Sequence, residues 1–312
     1  MDPKVALCVP TYNAGKCWEH WIKMLKSQSR YPDEVLIIDS SSIDNTVKTA
    51  LKYDLSSHVI PKEEFNHGAT RQLCIEKLSN PDIVIFMTQD AILASENAIE
   101  NLVNCFKDEN VGAAYGRQLP RMEARQIEAH ARIFNYPNES MVKQKKDIPQ
   151  LGVKAAFLSN SFAAYRRKAL QDIGGFPSST ILAEDMYVAA KLLLKDWKIA
   201  YNSNSTVYHS HDYTFVEEFK RYFDLGVFQA RESWIRKNFG GAGGEGLKFV
   251  ISEQKYLLAN KPSLIPSAIM RTIFKYIGFK LGLYEKILPN KVKHNISMHK
   301  SFWKIRKQKS EA

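Results

Sequence analysis

The first 120 residues alternate short, almost purely apolar runs with longer amphipathic stretches. The run at Glu34–Asp39 (EVLIID) contains four consecutive apolar residues, and the run at Asp82–Met87 (DIVIFM) contains five. A strand that is apolar on both faces must be covered on both sides, and helices between successive strands provide that cover. The alternation therefore predicts an α/β fold with a mostly parallel sheet between two layers of helices.

The predicted elements follow one another as strand, helix, strand, helix up to residue 117. Strands are predicted at residues 4–9, 34–39, 59–60, 82–87, 111–116 and 155–165, and helices at residues 18–27, 44–52, 69–78, 95–107 and 183–195. The polar residues 120–150 are interpreted as a loop or insertion. The glycine-rich run Gly240–Gly246 (GGAGGEG) is interpreted as a flexible hinge or lid, because it lacks the strand and helix that flank a phosphate-binding loop.

The positive charge of the chain is concentrated at its C-terminal end. The 312 residues carry a net charge of +11, and residues 261–312 hold twelve Lys or Arg against two acidic residues, Glu285 and Glu311. A nucleic-acid-binding domain would be expected to carry such charge on its folded body, so this class is excluded. Lysines among aliphatic and aromatic residues favour a basic, amphipathic helical region at an anionic membrane surface. A solvated basic tail that packs on its own domain is the alternative.

Neither a membrane-spanning stretch nor a signal peptide is evident in the sequence. We therefore expect a cytoplasmic protein that is peripheral on the cytoplasmic face of the inner membrane. The four cysteines, at positions 8, 17, 74 and 105, form no CxxC pair. This spacing argues against a zinc site or a disulfide framework and predicts reduced, mostly buried thiols.

Polar residues follow several of the predicted strands. Asp39 ends the second strand, and Asp90 follows the fourth. Ligands of parallel sheets bind beyond the carboxyl ends of the strands, and Mg²⁺ or Mn²⁺ is commonly held there by a few protein oxygens and substrate phosphate. These residues favour a site for a nucleotide diphosphate and a divalent cation. The alternative for Asp90 is a helix cap or a turn, and the alternative for Asp39 is a cap of the helix that starts near Asp44.

The arrangement of these residues along the chain resembles glycosyltransferase family 2, the inverting enzymes of the GT-A fold. The resemblance covers about residues 4–235 and is carried by Pro10-Thr11-Tyr12-Asn13, Asp39, Asp90 and Glu184-Asp185. Further segments resemble bacterial rhamnosyltransferases of O-antigen and other surface polysaccharides: Phe65–Arg71 (FNHGATR), Thr88–Ala91 (TQDA), Phe134–Pro137 (FNYP) and Tyr208–His211 (YHSH). The chain departs from the family at its Asp-x-Asp motif, which is here Thr88-Gln89-Asp90.

The resemblance implies a role for each matching residue. Pro10, Thr11, Tyr12 and Asn13 would form the nucleotide loop, with Asp39 accepting a hydrogen bond from the base. Arg71 would pair with the diphosphate, and Gln89, also assigned to the nucleotide-binding site, would offer the metal a neutral oxygen. Asp90 would hold the metal with His209 or His211, whose rings an extended H-x-H segment points to the same side. Asp185 would be the general base, supported by Glu184.

Each of these roles has a structural alternative. Arg71 could form a surface ion pair, the two histidines could be hydrogen-bonded structural residues, and the Glu184-Asp185 doublet could balance a helix dipole.

The resemblance also implies a reaction and its partners. It predicts transfer of L-rhamnose from dTDP-β-L-rhamnose to a polyprenyl-diphosphate-linked saccharide, with Mg²⁺ or Mn²⁺ as cofactor. A UDP-hexose or UDP-N-acetylhexosamine donor, or a non-catalytic sugar-nucleotide- or glycan-binding protein, is the alternative. We divide the chain into a transferase domain (residues 1–235, with a nucleotide-binding half 1–117 and an acceptor-binding half 118–235) and a C-terminal region (residues 236–312). Aromatic residues between 215 and 290 could pack a homodimer.

Overall fold

The computed structural model describes residues 2–241 and 243–303, which contain one sheet of nine strands. The strands are β1 (Val5–Thr11), β2 (Glu34–Asp39), β3 (Ser56–Val59), β4 (Ile83–Met87), β5 (Ile92–Leu93), β6 (Val111–Leu119), β7 (Met141–Lys143), β8 (Phe162–Arg166) and β9 (Lys198–Tyr208). Eight strands follow the order β3-β2-β1-β4-β8-β6-β9-β5, and β7 also pairs with β9.

The half of the sheet formed by β3, β2, β1 and β4 is parallel throughout. Its register places Thr11 of β1 directly beside Asp39 of β2. Beyond β4 the sheet is mixed, because β8 runs antiparallel to both β4 and β6, whereas β9 runs parallel to β6. The predicted α/β class is confirmed, and the parallel arrangement holds for the first half of the sheet.

Helices cover both faces of the sheet. They are α1 (Trp18–Lys26), α2 (Thr46–Lys52), α3 (His67–Lys77), α4 (Ala98–Asn104), α5 (Gln126–Asn135), α6 (Ile148–Leu151), α7 (Arg167–Asp172), α8 (Glu184–Leu194), α9 (Phe215–Arg231), α10 (Ser233–Phe239), α11 (Gly243–Asn260), α12 (Ile265–Leu283) and α13 (Asn290–Ile296). The side chains of β1 alternate between the two faces: Ala6 and Cys8 enter one core cluster, and Leu7 and Val9 enter the other.

Residues 120–150 are not the loop that their polarity predicted. They contain α5, β7 and α6, and α5 buries Ile127, Ala129 and His130. A helix that buries so few side chains produces only a weak apolar pattern in a polar sequence. The strand predicted at residues 155–165 begins only at Phe162.

The prediction of four reduced thiols is wrong for one pair. Cys8 of β1 and Cys74 of α3 form a disulfide, with their Cα atoms 6.4 Å apart. These residues lie 66 positions apart in the chain, and only the packing of α3 on β1 brings them together. Of the two free cysteines, Cys17 is exposed and Cys105 is half-buried, so neither fits the expected burial.

The C-terminal helices pack closely against the transferase body. A Cβ atom on Gly278 of α12 would overlap the carbonyl oxygen of Phe219 of α9, so glycine allows the two backbones to touch here. Part of the basic charge is neutralised within the fold, since Arg271 pairs with Glu218 at 3.2 Å and Lys293 pairs with Glu285 at 3.2 Å, all four being buried.

Two features of the C-terminal region bear on its predicted role. None of the helices in the described part of the chain combines the length and the apolar character that crossing a bilayer requires. Helix α11 begins at Gly243, so the second half of the predicted hinge is helical. Ala242 within that hinge and the basic residues 304–312 lie outside the described residues.

Candidate active site

A cavity of about 2060 Å³ opens beside the carboxyl ends of β1 and β4. Ligand pockets commonly have about 300–1,000 Å³, so this cavity has room for two substrates. The predicted site residues that line it are Pro10, Thr11, Tyr12, Arg71, Gln89, Asp90, Glu184, Asp185, His209 and His211. Helices α5, α11 and α12 also line the cavity and contribute apolar side chains among charged ones: Ile127, Phe134, Leu247, Phe249, Tyr276 and Phe279.

Asp90 meets the two predicted histidines directly after the ends of β4 and β9. Its Oδ2 lies 3.5 Å from Nδ1 of His209 and 3.9 Å from Nδ1 of His211. The Nε2 of His209 lies 3.2 Å from Oγ of Ser161, whereas its Nδ1 is buried without a hydrogen-bond partner. The ligand atoms of the three residues all lie within 4.8 Å of one another. The orphaned nitrogen faces a carboxylate oxygen, as expected where a cation binds between them.

The protonation states of this trio (Asp90, His209 and His211) also fit a cation. Burial lowers the pKa of His209 to about 4 and that of His211 to about 3, so both rings are neutral at pH 7. Burial alone would raise the pKa of Asp90, but its neighbours, His209 foremost, lower it instead. One carboxylate and two neutral imidazoles are good ligands for a divalent ion, and the nitrogen donors favour a transition metal such as Mn²⁺ over Mg²⁺.

Gln89 makes two hydrogen bonds with the backbone of the loop that follows β1. Its Oε1 accepts a hydrogen bond from the Tyr12 N–H at 2.8 Å, and its Nε2 donates to the Tyr12 carbonyl oxygen at 3.0 Å. Gln89 holds the middle position of the motif Thr88-Gln89-Asp90, and its amide can both accept and donate a hydrogen bond. Gln89 therefore joins the loop of Tyr12 to the strand end that carries Asp90.

Asp39 is fully buried behind the cavity wall. Its Oδ1 accepts hydrogen bonds from the hydroxyls of Thr11 (2.7 Å) and Ser42 (2.6 Å), and its Oδ2 accepts one from the Ser42 N–H (2.7 Å). Among the described residues that line the cavity are Thr11 and Ser40, but not Asp39. These hydrogen bonds give Asp39 a structural role in ordering the residues after β1 and β2, and its contact with a base stays a prediction.

Asn13 and Tyr12 complete the loop after β1. Asn13 adopts a left-handed conformation (φ 45°), donates its N–H to Oγ of Ser42 at 2.7 Å and accepts the N–H of Ile43 at 2.9 Å. It therefore links the loops after β1 and β2 and does not itself line the cavity within the described residues. Lys62, which the sequence analysis did not select, donates to the Tyr12 hydroxyl at 2.6 Å and lies 4.1 Å from its ring centroid.

Asp185 lies in the first turn of α8. The residue before this helix, Ala183, has φ 57°, a left-handed conformation that is rare for alanine and typical of strained functional sites. The Asp185 carboxylate accepts hydrogen bonds from the backbone N–H groups of Met186 at 2.8 Å and Asn160 at 3.3 Å. Burial, reinforced by the charge of Glu184, raises the pKa of Asp185 to about 7. A carboxylate with this pKa is well suited to accept a proton at neutral pH.

Glu184 and Arg71 form a buried ion pair beside Asp185. Oε1 of Glu184 lies 3.0 Å from Nη1 of Arg71 and accepts a hydrogen bond from the side chain of Asn160 at 2.9 Å. Arg71 also donates to the carbonyl oxygen of His67 at 2.9 Å. The pair joins α3 to α8 and holds Asp185 in place. The ion-pair alternative for Arg71 is thus realised in the interior, and its contact with a diphosphate stays a prediction.

The C-terminal segment also reaches the cavity, which the sequence analysis missed. The rings of His67 and His299 meet edge to face with centroids 5.0 Å apart. Asp224 of α9 accepts the N–H groups of Met298 (2.9 Å) and His299 (3.2 Å) and holds this segment in place. A single histidine in a basic segment gives no sequence signal for a contact with residue 67, so only the folded chain reveals it.

The fold and the site define a class of enzyme. Asp90, His209 and His211, whose ligand atoms are close enough to hold a cation, follow β4 and β9; the Asp185 carboxyl, with its pKa raised to about 7, lines the same cavity, which has room for two substrates. These three features suit an enzyme that transfers a group from a nucleotide diphosphate to an acceptor hydroxyl.

The chain belongs to glycosyl transferase family 2, whose family model matches residues 6–174. It is 50% identical over 302 residues to the O-antigen chain rhamnosyltransferase RfbN of Salmonella typhimurium and 48% identical over 302 residues to the O-antigen chain rhamnosyltransferase WbaN of Salmonella anatum. Each comparison covers 96% of this chain and 96% of the relative. The family prediction is confirmed.

A solved structure shares the fold. The mannosyltransferase PcManGT from Pyrobaculum calidifontis, in complex with GDP-Man and Mn²⁺, superposes with a TM-score of 0.65 at 18% identity. The match covers 92% of this chain and 88% of that chain, so it includes the C-terminal helices.

Proposed function

We propose that this glycosyltransferase moves L-rhamnose from dTDP-β-L-rhamnose to a lipid-linked saccharide during O-antigen synthesis. Two O-antigen chain rhamnosyltransferases that match at about half of all positions, along nearly the whole chain, support this sugar and pathway. The observation that carries the mechanism is the presence of the trio and Asp185 in the walls of one cavity. The roles of the other cavity residues follow from this reaction.

The reaction begins with a proton transfer to Asp185. The acceptor hydroxyl gives its proton to the Asp185 carboxylate while its oxygen forms a bond to C1 of rhamnose. The bond from C1 to the diphosphate oxygen breaks on the opposite face, and its electron pair leaves with dTDP. One displacement without a covalent intermediate inverts the configuration and gives an α-linkage, as the transition state of sugar transfer allows.

The trio would hold the divalent cation, with Asp90 as the carboxylate ligand and His209 and His211 as the imidazole ligands. When bound, such a cation neutralises negative charge on phosphate oxygens. Ser161 orients the His209 ring through Nε2, so Nδ1 faces Asp90. The carbonyl oxygen of Asp90 accepts a hydrogen bond from Arg121 at 2.5 Å, which fixes the backbone at this ligand.

The nucleotide would lie against the loop after β1. The exposed ring of Tyr12 offers a stacking surface for the base, and Thr11 lines the cavity beside it. Asp39 acts from behind this wall by ordering Thr11 and Ser42. Gln89 links this loop to the trio through Tyr12, so base and cation sites keep a fixed separation.

The acceptor would enter beside α5, α11 and α12, which line the cavity, and its lipid would remain in the membrane. Helix α12 presents an outward row of apolar side chains four residues apart, Ile269, Ile273, Ile277 and Leu281, each 36–48% exposed. Exposed lysines lie within this helix at position 280 and shortly after its end at position 286. Apolar anchors with basic neighbours bind anionic bilayer surfaces. We therefore place the protein at the cytoplasmic face of the membrane.

Membrane binding can be tested with point variants, because the buried Trp303 and Glu285 make truncation disruptive. The double variant Ile273→Glu/Ile277→Glu should lose binding to phosphatidylglycerol vesicles in flotation assays. Ile43→Glu, at a 90% exposed position on the transferase body, is the matched control and should bind normally. Equal flotation of both variants would contradict the membrane proposal.

The donor is tested by incubating the protein with dTDP-L-rhamnose, UDP-glucose, UDP-galactose and UDP-N-acetylglucosamine, each with Mn²⁺, Mg²⁺ or EDTA. We expect turnover with dTDP-L-rhamnose and a cation, and an α-linked product by NMR. If turnover is faster with a UDP-sugar than with dTDP-L-rhamnose, that UDP-sugar would replace dTDP-L-rhamnose as the donor. Nucleotide binding without turnover on any donor and saccharide acceptor would favour a binding protein. The predicted homodimer can be measured on the same preparation by light scattering.

A further inference from the structure

Arg221 of α9 is a half-buried arginine that the sequence analysis did not select. It lines the cavity, and none of the other described residues forms a hydrogen bond or an ion pair with its guanidinium group. Three other cavity arginines differ in this respect: Arg71 pairs with Glu184 at 3.0 Å, Arg271 pairs with Glu218 at 3.2 Å, and Arg132 donates to Gln118. Arg236 also lines the cavity but is exposed to solvent. Arg221 thus brings to the cavity a half-buried positive charge that forms no ion pair with a described residue and acts only at longer range on Asp224.

Aromatic rings in successive contact connect Arg221 to the trio. Its guanidinium carbon lies 5.7 Å from the ring centroid of Tyr213. The Tyr213 ring stacks on His211, with centroids 5.0 Å apart and planes at 21°. His211 in turn packs edge to face on His209, with centroids 4.4 Å apart. The charge of Arg221 therefore lies near the cation site, separated from it by one tyrosine.

The charge of Arg221 also acts on α3 and the C-terminal segment. Burial lowers the pKa of His67 to about 4 and that of His299 to about 3, and the positive charge of Arg221 contributes to both shifts. The guanidinium group is therefore close enough to this pair of histidines to influence their pKa, and it lines the cavity that also contains Glu184 and Asp185.

A half-buried guanidinium that lacks an ion pair and hydrogen bonds within the protein is most stable when an anion occupies the space in front of it. The planar arrangement of its N–H groups matches two phosphate oxygens at once, and charge-assisted hydrogen bonds of this kind are stronger than neutral ones. Lys275 of the same cavity is a weaker choice, because Glu218 lies 3.4 Å from its ammonium group.

We propose that Arg221 binds the diphosphate of the sugar nucleotide on the side facing away from the trio. The group bound there is a diphosphate, and its closeness to the cation site favours the donor over a lipid-linked acceptor. Arg221 would then stabilise the negative charge that develops on the diphosphate as its bond to C1 breaks. The inference rests on the proposed function in one respect only, that the donor is a nucleotide diphosphate.

The test compares ligands with and without phosphates on the full-length protein. Isothermal titration with Mn²⁺ would measure binding of dTDP, UDP and thymidine to the wild type, Arg221→Gln and Arg221→Lys. Loss of a charge-assisted contact should weaken dTDP binding about 10- to 100-fold in Arg221→Gln, and thymidine binding should not change. Lysine keeps the charge but loses the planar fork, so Arg221→Lys should recover part of the affinity. The matched control is Lys220→Gln on the same helix, which does not line the cavity within the described residues.

Three results would overturn this assignment. They are wild-type affinity for dTDP in Arg221→Gln, an equal loss for dTDP and thymidine, and an effect confined to the KM of the acceptor. If Arg221→Gln does not fold, as judged by circular dichroism, unchanged dTDP affinity in Arg221→Lys would also overturn it. If the wild type binds UDP and not dTDP, the proposed donor would be replaced by a UDP-sugar. The ratio of the affinities for UDP and uridine in each variant would then decide the role of Arg221.

Discussion

Replacement of Asp185 by asparagine tests the proposed mechanism at its first step. Asparagine keeps the shape of the side chain but cannot accept the proton of the acceptor hydroxyl. Removal of a general base costs about 10²- to 10⁴-fold in rate, which is about 3–5 kcal/mol in activation free energy. We expect the upper part of this range, because the carboxylate is held by two backbone N–H groups and has its pKa raised to about 7.

The pH profile of the wild type provides a second measure of the same residue. The active form of Asp185 is deprotonated, so activity is present above the folded-state pKa and is lost as the pH falls through it. Because burial and Glu184 raise that pKa, kcat/KM should fall about tenfold per pH unit below about pH 7. An unperturbed aspartate would keep full activity down to about pH 4.

The assay is steady-state transfer to a saccharide acceptor between pH 5 and pH 9, with dTDP affinity measured in parallel. Asp185→Asn should bind dTDP as the wild type does, and its residual activity should not fall as the pH is lowered through 7. Asp54→Asn, at an exposed turn, is the matched control and should behave as the wild type. Turnover of Asp185→Asn within tenfold of the wild type, or a wild-type limb near pH 4, would refute the assignment.

Three further outcomes follow from the described contacts. His209→Ala should weaken Mn²⁺ binding more than about 100-fold, since loss of a group that merely supports a ligand can cost that much; titration followed by EPR would measure it, and unchanged affinity would remove the residue from the cation site. Glu184→Gln should shift the loss of activity at acid pH to lower pH, because the charge that helps raise the pKa of Asp185 is gone; a pH profile that does not shift would contradict this. The same variant should lose about 3–5 kcal/mol in unfolding free energy, measured by urea denaturation, because Arg71 loses its buried partner. Gly278→Val should force α12 away from α9 and reduce the unfolding free energy by about 1–3 kcal/mol or more, which lowers the melting temperature. An unchanged melting temperature would show that the helices do not touch there.

The parallel half of the fold was predictable because its strands are apolar on both faces and end in polar residues. The predicted positions of β1, β2 and β4 match the structure closely, and Asp90 follows one of these predicted strands. The two histidines of the trio were selected by the family resemblance and follow β9, a strand that the sequence analysis did not predict. Local sequence patterns are sufficient to predict a strand when its own residues show that both faces are buried and that its end is polar. The same patterns could not give the mixed half, because the direction of β8 depends on how the excursion between β6 and β8 returns to the sheet.

Chemical detail within the site was less predictable, because it depends on which partner each polar atom finds. Asp39 was selected for a base contact, but the hydroxyls of Thr11 and Ser42 occupy its carboxylate. Arg71 was selected for a diphosphate contact, but Glu184, 113 positions further along the chain, lies 3.0 Å from it. Residue type and strand-end position predict which side chains approach the site, whereas their hydrogen bonds depend on the packing of distant helices.

The packing of α9 explains why the donor site and the C-terminal region should act as one unit. Helix α9 carries Arg221 into the cavity on one side and packs against α12 on another, with Gly226 beside Gly282. Phe223 of α9 is fully buried and contacts the ring of Trp303 near the C-terminal end, with centroids 6.3 Å apart. Removal of the chain after residue 235 would therefore expose the buried face of α9 and release the residue that we assign to the diphosphate. We infer that the transferase unit extends through α12, so that a helix with an outward apolar row also supports the binding of the nucleotide.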